Sequence, residues 1–364
     1  MRVKLEDVCS KGSSNLKQSD IIDKNGEYEI YGASGLIGKV DFFHQEKPYI
    51  AVVKDGAGIG RTMLLPEKSS VIGTMQYILP NEKVISKYLY YVIRYMHLEK
   101  YFTGATIPHI YFKDYRKEEF NLCDLSEQKK IVSTLSKIEE IITHRRIQLE
   151  KLDLLVKARF VEMFGGIENK ILLKSLCDIS GGYAFKSNDI SSDGAIKILQ
   201  IGNVYLDSVN WDTTNYLPEG YDDIYSKFLL NEGDIVIALT RPIIQSLGNV
   251  KACIVKKSDM PCLLNQRIGR IVPKENIDVN IKYIYGCLMT DEFTRYVESC
   301  SIGCSQPNIS TKDIENYLIP DISYDMQMDF VRFKEQVDKS KVAVQKELDK
   351  AQMLFDSLMQ EYFG

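Results

Sequence analysis

The chain has 364 residues, 45% hydrophobic and 26% charged, with a formal net charge of −4; that leaves room for two domains with cores of their own and a connector, in ordinary soluble proportions. No apolar run approaches membrane-spanning length, Met1–Glu6 carries no apolar signal region, and eight cysteines without a C-x-x-C pair fit reduced thiols in a cytoplasm rather than a disulfide framework. The acidic balance weighs against an indiscriminate DNA-coating protein but allows a local basic face.

The chain opens Val3-Lys4-Leu5-Glu6-Asp7-Val8-Cys9, a short apolar strand or turn that runs into polar loop. Glu29–Gly35 reads as a strand with a glycine loop, and Pro48–Lys54 as a buried strand. Gly56-Ala57-Gly58-Ile59-Gly60-Arg61 looks superficially like a phosphate loop. No Gly-Lys-Ser/Thr follows and the spacing is wrong, so a tight glycine turn between strands is the better reading. A helix is expected around Ser86–His97. After the Ala105–Tyr111 loop comes Leu125–Gly165, a long, charged, gapless helical stretch.

Apolar residues recur there at Ile131, Leu135, Ile138, Ile142, Leu149, Leu152, Val156 and Met163, mostly three or four apart. Ser126 is the expected cap, and Gly165-Gly166 the expected end. At ~1.5 Å per residue, roughly 38 residues make a rod of about 57 Å. Arg145 and Arg159 interrupt the apolar seam, so the pattern is an imperfect heptad.

The second half begins alike. Leu172–Cys177 repeats the opening pattern, Ile196–Ile201 and Asp234–Leu239 repeat the strands, and a helix is expected around Asn280–Met289. Sliding Phe164-Gly165 onto the terminal Phe363-Gly364, a shift of 199, places Gln128 on Gln327, Val132 on Val331, Leu149 on Leu348 and Leu155 on Leu354. The register runs backwards without a gap, placing Gly104, Pro108, Ile110, Lys113 and Asp114 on Gly303, Pro307, Ile309, Lys312 and Asp313. This is an internal duplication. The second helical seam then includes Val337, Leu348, Leu354 and Leu358.

Topology follows from the duplication. A domain the size of residues 166–323 has a radius of gyration of about 15 Å, so its termini lie closer together than the helix is long. Two helices packed side by side must therefore run antiparallel, as a coiled coil with an approximate two-fold axis. The expected fold is α+β (mixed α/β), with globular domains at 1–124 and 166–323 and long helices at 125–165 and 324–364.

The chemistry of catalysis is harder to find. Asp114 with Glu127 and Lys129 suggests a carboxylate–lysine cluster, but Glu127 opens a helix and its counterparts Met326 and Met328 carry no charge. His44, His97, His109 and His144 are scattered, no H-E-x-x-H or nucleophile elbow appears, and no Asn-Pro-Pro-aromatic tetrapeptide marks amino-methyl transfer. Cys300 and Cys304 lack a nearby histidine, so packing thiols are preferred to a metal site. Neither a catalytic residue nor a metal ligand is nominated.

Loops rich in long polar donors are more informative. Arg241-Pro242-Ile243-Ile244-Gln245-Ser246 follows a buried strand with residues suited to base edges, since arginine reads guanine and glutamine reads adenine. Ser305–Ser310 and Ala105–Tyr111 stand at matching places, sharing Pro and Ile while Asn308 faces His109. A structural turn explains the shared residues, and a reading surface the differing ones.

Taken together, the two-copy layout, Gly233–Pro242, Leu264-Asn265-Gln266-Arg267-Ile268-Gly269, Ser305–Ser310 and Ser126–Ile131 resemble the specificity subunits of type I restriction–modification systems, over essentially the whole chain. The resemblance implies two target recognition domains, each reading one half of a split, asymmetric double-stranded DNA site in defence against foreign DNA. It implies paired helices that set the spacing and dock two methyltransferase (modification) subunits, and through them restriction subunits. The chain itself is expected to carry no cofactor; S-adenosylmethionine, ATP and Mg²⁺ belong to the partners. The DNA contacts nominated on this basis are Lys54, Arg61, His109 and Lys113 in the first domain, and Lys186, Arg241, Gln245, Gln306, Asn308 and Lys312 in the second. The chain departs from the family pattern where Ala105–His109 replaces a Gln-Pro-Asn type turn and Lys54-Asp55-Gly56 replaces Thr-Arg-Pro, as two unlike half-sites require. The competing readings are a stand-alone nuclease or methyltransferase of unfamiliar type, and a coiled-coil adaptor that binds no DNA.

Overall fold

Strand β5 (Tyr49–Val53) is buried at all five positions, and its alternation sets the plan of the first half. Ile50 and Val52 enter a core shared with helices, while Tyr49, Ala51 and Val53 enter a second core with Val71, Met75 and Tyr77. This is the period-two consequence of a strand covered on both faces. The computed structural model describes residues 1–21, 25–56, 58–103, 108–300 and 308–364. It divides into unit 1 (Met1–Gln148 with Val344–Gly364) and unit 2 (Leu149–Ala343).

In unit 1, β1 (Arg2–Lys4) pairs with β9 (Glu119–Asn121). An antiparallel sheet runs in the order β2 (Cys9–Ser13), β8 (Met75–Pro80), β5, β6 (Thr62–Leu65). A smaller sheet runs β4 (Gly35–Val40), β3 (Tyr28–Gly32), β7 (Ser70–Val71), with β3 and β7 parallel. Helices α1 (Ser86–Tyr95) and α2 (Phe112–Tyr115) precede the long α3 (Leu125–Phe164).

Unit 2 repeats this scheme. β10 (Lys170–Leu172) leads into α4 (Leu173–Leu176) and pairs with β20 (Leu318–Pro320). The larger sheet is β11 (Cys177–Gly181), β19 (Ile268–Pro273), β14 (Ile235–Ala238), β17 (Ala252–Ile254). The smaller is β13 (Asn215–Leu217), β12 (Ile196–Leu199), β18 (Cys262–Leu264), again with one parallel pair. A hairpin of β15 (Ile243–Ile244) and β16 (Asn249–Val250) is added. The helices are α5 (Tyr221–Ile224), α6 (Ile281–Leu288), α7 (Asp291–Cys300), α8 (Thr311–Glu315) and α9 (Tyr324–Phe363). In β14, Ile235 and Ile237 face the helical core while Val236 faces the smaller sheet, as in β5.

The two long helices divide between the units. Unit 1 holds the N-terminal part of α3 with the C-terminal part of α9, and unit 2 holds the complementary parts, the exchange that an antiparallel pair produces. Ile131, Leu135, Ile138 and Ile142 join Phe355, Met359 and Phe363 in one core; Phe160 and Phe164 join Phe330 in the other. The compact units therefore extend into the helices rather than ending at residues 124 and 323.

Several local expectations are corrected. The cap of α3 is Asp124, whose Oδ1 accepts the Glu127 N–H at 2.9 Å, not Ser126, because the helix already begins at Leu125. Ser323 does the same for Met326 at 3.4 Å. Leu354 is 51% exposed, as is much of Leu155. The seam at that end advances in steps of four, through Phe355, Met359 and Phe363, and leaves the 3.5-residue register that the heptad reading assumed. Val337 is buried, Leu348 and Leu358 pack against the first core and Val156 against the second, and Leu149 and Leu152 are half-buried.

The duplicated glutamine has a structural reason. Gln128 is fully buried; its Oε1 accepts the Ile85 N–H at 2.9 Å and its Nε2 donates to Lys83 O at 3.0 Å and Cys123 O at 2.9 Å. Gln327 accepts from the Asn280 N–H at 2.8 Å and donates to Ile322 O at 3.3 Å. Each ties the start of a long helix to the start of α1 or α6, satisfying an N–H that a helix N-terminus leaves open.

Candidate nucleic-acid interface

At the end of β5 the backbone meets the segment Pro108–Ile110. Ile110 N donates to Lys54 O at 2.9 Å, Gly56 N donates to Pro108 O at 3.0 Å, and Asp55 and His109 form a bridge. His109 Nδ1 lies 2.7 Å from Asp55 Oδ1, and Lys54 Nζ lies 3.9 Å from Asp55 Oδ2. The His109 ring stacks against Tyr111 at 6.3 Å, and Lys113 Nζ sits 5.2 Å from the Tyr111 ring centre. Arg61, at the far end of the glycine turn, donates to Ala33 O at 2.9 Å. Three nominated residues of the first domain are thus linked, Lys54 and His109 through Asp55 and Lys113 through Tyr111; Arg61 accepts the Val53 N–H through its backbone while its side chain turns to Ala33.

Unit 2 builds the same junction from other side chains. Ile309 N donates to Leu239 O at 2.9 Å, and Thr240 and Asn308 form the bridge that Asp55 and His109 form in unit 1. Gly56 therefore corresponds to Arg241. Both take a left-handed backbone, Gly56 at φ +93° and Arg241 at φ +49°. Glycine enters that region freely, whereas a side chain there costs roughly 1–2 kcal/mol. An exposed arginine held in that conformation presents its guanidinium from a fixed point beside Asn308.

The other nominated residues of unit 2 are more dispersed. Lys312 is exposed in α8, whose start is capped by Ser310 with Asp313. Gln245 is exposed in the β15–β16 turn, and Lys186 is exposed before the short turn Ser187–Asp189. Gln306 lies outside the described residues, as does Cys304.

Sequence reading missed a polar cleft of about 510 Å³ in unit 2. Residues 200–215 form one wall and Asn265, Gln266 and Arg267 another, with Phe185 and Ser187 at the side. Gln266 N donates to Tyr183 O at 3.0 Å, and Arg267 O accepts the Leu239 N–H at 2.9 Å, which puts the cleft at the strand end that carries Arg241. Tyr183, Phe185, Tyr221 and Tyr225 cluster beside it with ring centres about 5 Å apart. Partial desolvation, with the neighbouring tyrosines and Asp189, pushes the Tyr221 and Tyr225 hydroxyls up, so both remain donors at neutral pH. The missed signal was Asn265-Gln266-Arg267 itself, visible in the sequence but not placed against residues 200–215.

Cys9, Cys177, Cys253 and Cys262 are buried. Burial pushes their thiols up to about 12, which keeps them protonated and unreactive at neutral pH. Glu127, once a candidate carboxylate, pairs with Lys130 at 2.9 Å on the helix surface. No helix among the described residues is long and apolar enough to cross a membrane.

Two similar α/β units with unlike polar rims, joined through a pair of 40-residue helices, define a duplicated recognition protein. Comparison with known proteins agrees. Residues 1–151 and 169–351 match the family described as type I restriction modification DNA specificity domain. Over 293 residues the chain is 32% identical to the MjaVIII specificity subunit of Methanocaldococcus jannaschii, covering 74% of this chain and 68% of that one. The crystal structure of the type I restriction–modification S subunit from M. genitalium shares the fold, with a TM-score of 0.59 and 16% identity over 100% of this chain and 96% of that one. A chain from a structure of type I R-M complex assembly and conformational transition has a TM-score of 0.55 and 14% identity, covering 100% and 97%. The chain belongs to the type I restriction–modification specificity subunit family. Its role is DNA sequence recognition, not catalysis.

Proposed function

We propose that the chain reads a bipartite, asymmetric DNA site, one half with each unit. The observation that carries this is the duplicated junction: a matching backbone hydrogen bond, Ile110 N to Lys54 O in one unit and Ile309 N to Leu239 O in the other, and a matching bridge, Asp55 with His109 and Thr240 with Asn308. A scaffold kept constant while its outward donors change suits two different half-sites, because base contacts specify sequence whereas the frame only positions them. In this reading Lys54, Arg61, His109 and Lys113 serve one half, and Lys186, Arg241, Gln245, Gln306, Asn308 and Lys312 the other.

The chain docks two methyltransferase subunits, one per repeat, and through them restriction subunits; S-adenosylmethionine, ATP and Mg²⁺ act there. The family match and the partly exposed helix positions Leu154, Leu155, Met353 and Leu354 support this reading. A net charge of −4 implies weak DNA affinity for the isolated chain, since phosphate contacts supply most non-specific binding. The complex acts on DNA in the cytoplasm.

The test is co-expression with the cognate methyltransferase subunit, followed by single-molecule mapping of methylated bases and light scattering of the complex. A split asymmetric motif and two methyltransferase chains per recognition chain are expected. A contiguous motif, or a mass that fits one methyltransferase chain, overturns the reading.

A further inference from the structure

We propose that the cleft between residues 200–215 and Gln266–Arg267 is a base-reading site of unit 2, and that the amide pair Gln200–Asn215 reads the major-groove edge of an adenine. The inference rests on the DNA-reading function above and adds residues that the sequence did not nominate.

Unit 2 carries an insertion that unit 1 lacks. In unit 1 the strands β3 and β4 are joined by Ala33 and Ser34 alone, whereas in unit 2 their counterparts β12 and β13 are joined by residues 200–214. The added segment is held by a buried asparagine. Asn203, 2% exposed, accepts the Gln200 N–H through Oδ1 at 2.9 Å and donates through Nδ2 to Asn210 O at 2.9 Å and Thr213 O at 3.2 Å. Trp211 is fixed in turn, its Nε1 donating to Asp259 Oδ1 at 2.9 Å. These bonds fix the rim before any ligand arrives, so little ordering cost remains on binding.

On that rim Asn215 Nδ2 donates to Gln200 Oε1 at 2.6 Å. The bond uses one arm of each amide and fixes their orientation. It leaves the Gln200 Nε2 donor and the Asn215 Oδ1 acceptor on two bonded, half-buried amides that line the cleft. A donor next to an acceptor complements adenine N7 and N6–H₂, the pairing that amide side chains make in the major groove. Arg267, exposed at the lip, adds a fixed positive charge on the same side as Arg241, since its carbonyl is bonded to Leu239.

The experiment uses the full complex and maps methylated bases for wild type, Gln200→Ala, Gln200→Glu and Arg267→Ala, with thermal unfolding as a check on the fold. Gln200→Ala is expected to relax one adenine position, with discrimination there falling about 5- to 150-fold and every other position intact. Gln200→Glu replaces the donor with an acceptor and is expected to shift that position toward cytosine, whose N4–H₂ a carboxylate accepts. Arg267→Ala is expected to lower methylation at all sites alike. An unaltered motif in both Gln200 variants, or uniform weakening by Gln200→Ala with the fold preserved, overturns the assignment while DNA reading stands. A wild-type complex without a sequence-specific motif overturns DNA reading itself, and the assignment with it.

Discussion

The two units solve one problem with different materials. Both place a fully buried strand, β5 or β14, between a helical core and a smaller sheet, and both end that strand in a bridge to the segment before a short helix. Unit 1 furnishes the bridge with an ionisable pair, Asp55 and His109, and follows it with a glycine; unit 2 uses neutral Thr240 and Asn308 and follows them with an arginine. Unit 2 also inserts residues 200–214 where unit 1 makes a two-residue turn. At this junction the units differ where the backbone hydrogen bonds impose nothing on the side chain. Specificity can therefore change without altering the core.

The comparison breaks most severely at the buried glutamines. Gln128→Leu strands the Ile85 N–H and two carbonyls, whereas Gln327→Leu strands the Asn280 N–H and one. At ~1–3 kcal/mol per buried unsatisfied group, three groups cost about 3–9 kcal/mol in unit 1 and two cost about 2–6 kcal/mol in unit 2. Hydrogen exchange resolved by unit should show each loss confined to its own unit, with the larger in unit 1. Equal losses would mean that the extra bond in unit 1 adds nothing.

A second comparison exchanges the left-handed residues. Arg241→Gly should remove a base contact of ~1–3 kcal/mol and relax one half of the methylated motif. It should leave stability within about 1 kcal/mol, because the relieved backbone strain offsets the entropy of the added glycine. If both halves of the motif survive unchanged, Arg241 is a loop residue and the analogy with Gly56 concerns backbone alone.

The smallest effect concerns the helix seam. Ile142 is buried in unit 1, and its counterpart in unit 2 is Lys341, which lies 2.5 Å from Asp153 and 4.0 Å from Asp207. Burial lowers the Lys341 ammonium, but the bond to Asp153 and the two carboxylates outweigh it, and its pKa is raised. A raised lysine contributes stability throughout the neutral range and loses it only as pH climbs past its folded value. Lys341→Ile should shift stability by less than about 1 kcal/mol at pH 7, since both aspartates are half exposed. It should also remove part of the alkaline loss that wild type shows above the ordinary lysine range. Parallel pH–melting curves check this, and curves that coincide at high pH would remove the ion pair from the account.

Much of the architecture was legible because duplication doubles each signal. The 199-residue shift aligned Gln128 with Gln327 before their shared hydrogen bonds were known, and the apolar runs at 49–53 and 235–238 marked the central strands. What escaped was set by three-dimensional context. Asp124 caps α3 because the helix starts two residues earlier than a Ser126 cap requires. Leu354 points outward while Phe355 packs, because a period of 3.6 drifts against a heptad. The cleft escaped because its walls come from segments at least fifty residues apart, at 200–215 and 265–267, and only the second carried a recognisable motif.

The left-handed position after β5 and β14 has a consequence at the level of the gene. Every glycine codon is a single nucleotide away from an arginine codon. At this position the backbone already tolerates either residue, glycine at 56 and arginine at 241. A point mutation can therefore arm or disarm one rim in a single step, with no intermediate that must refold. The charge at this corner of the molecule can change in fewer steps than the surrounding sheet can.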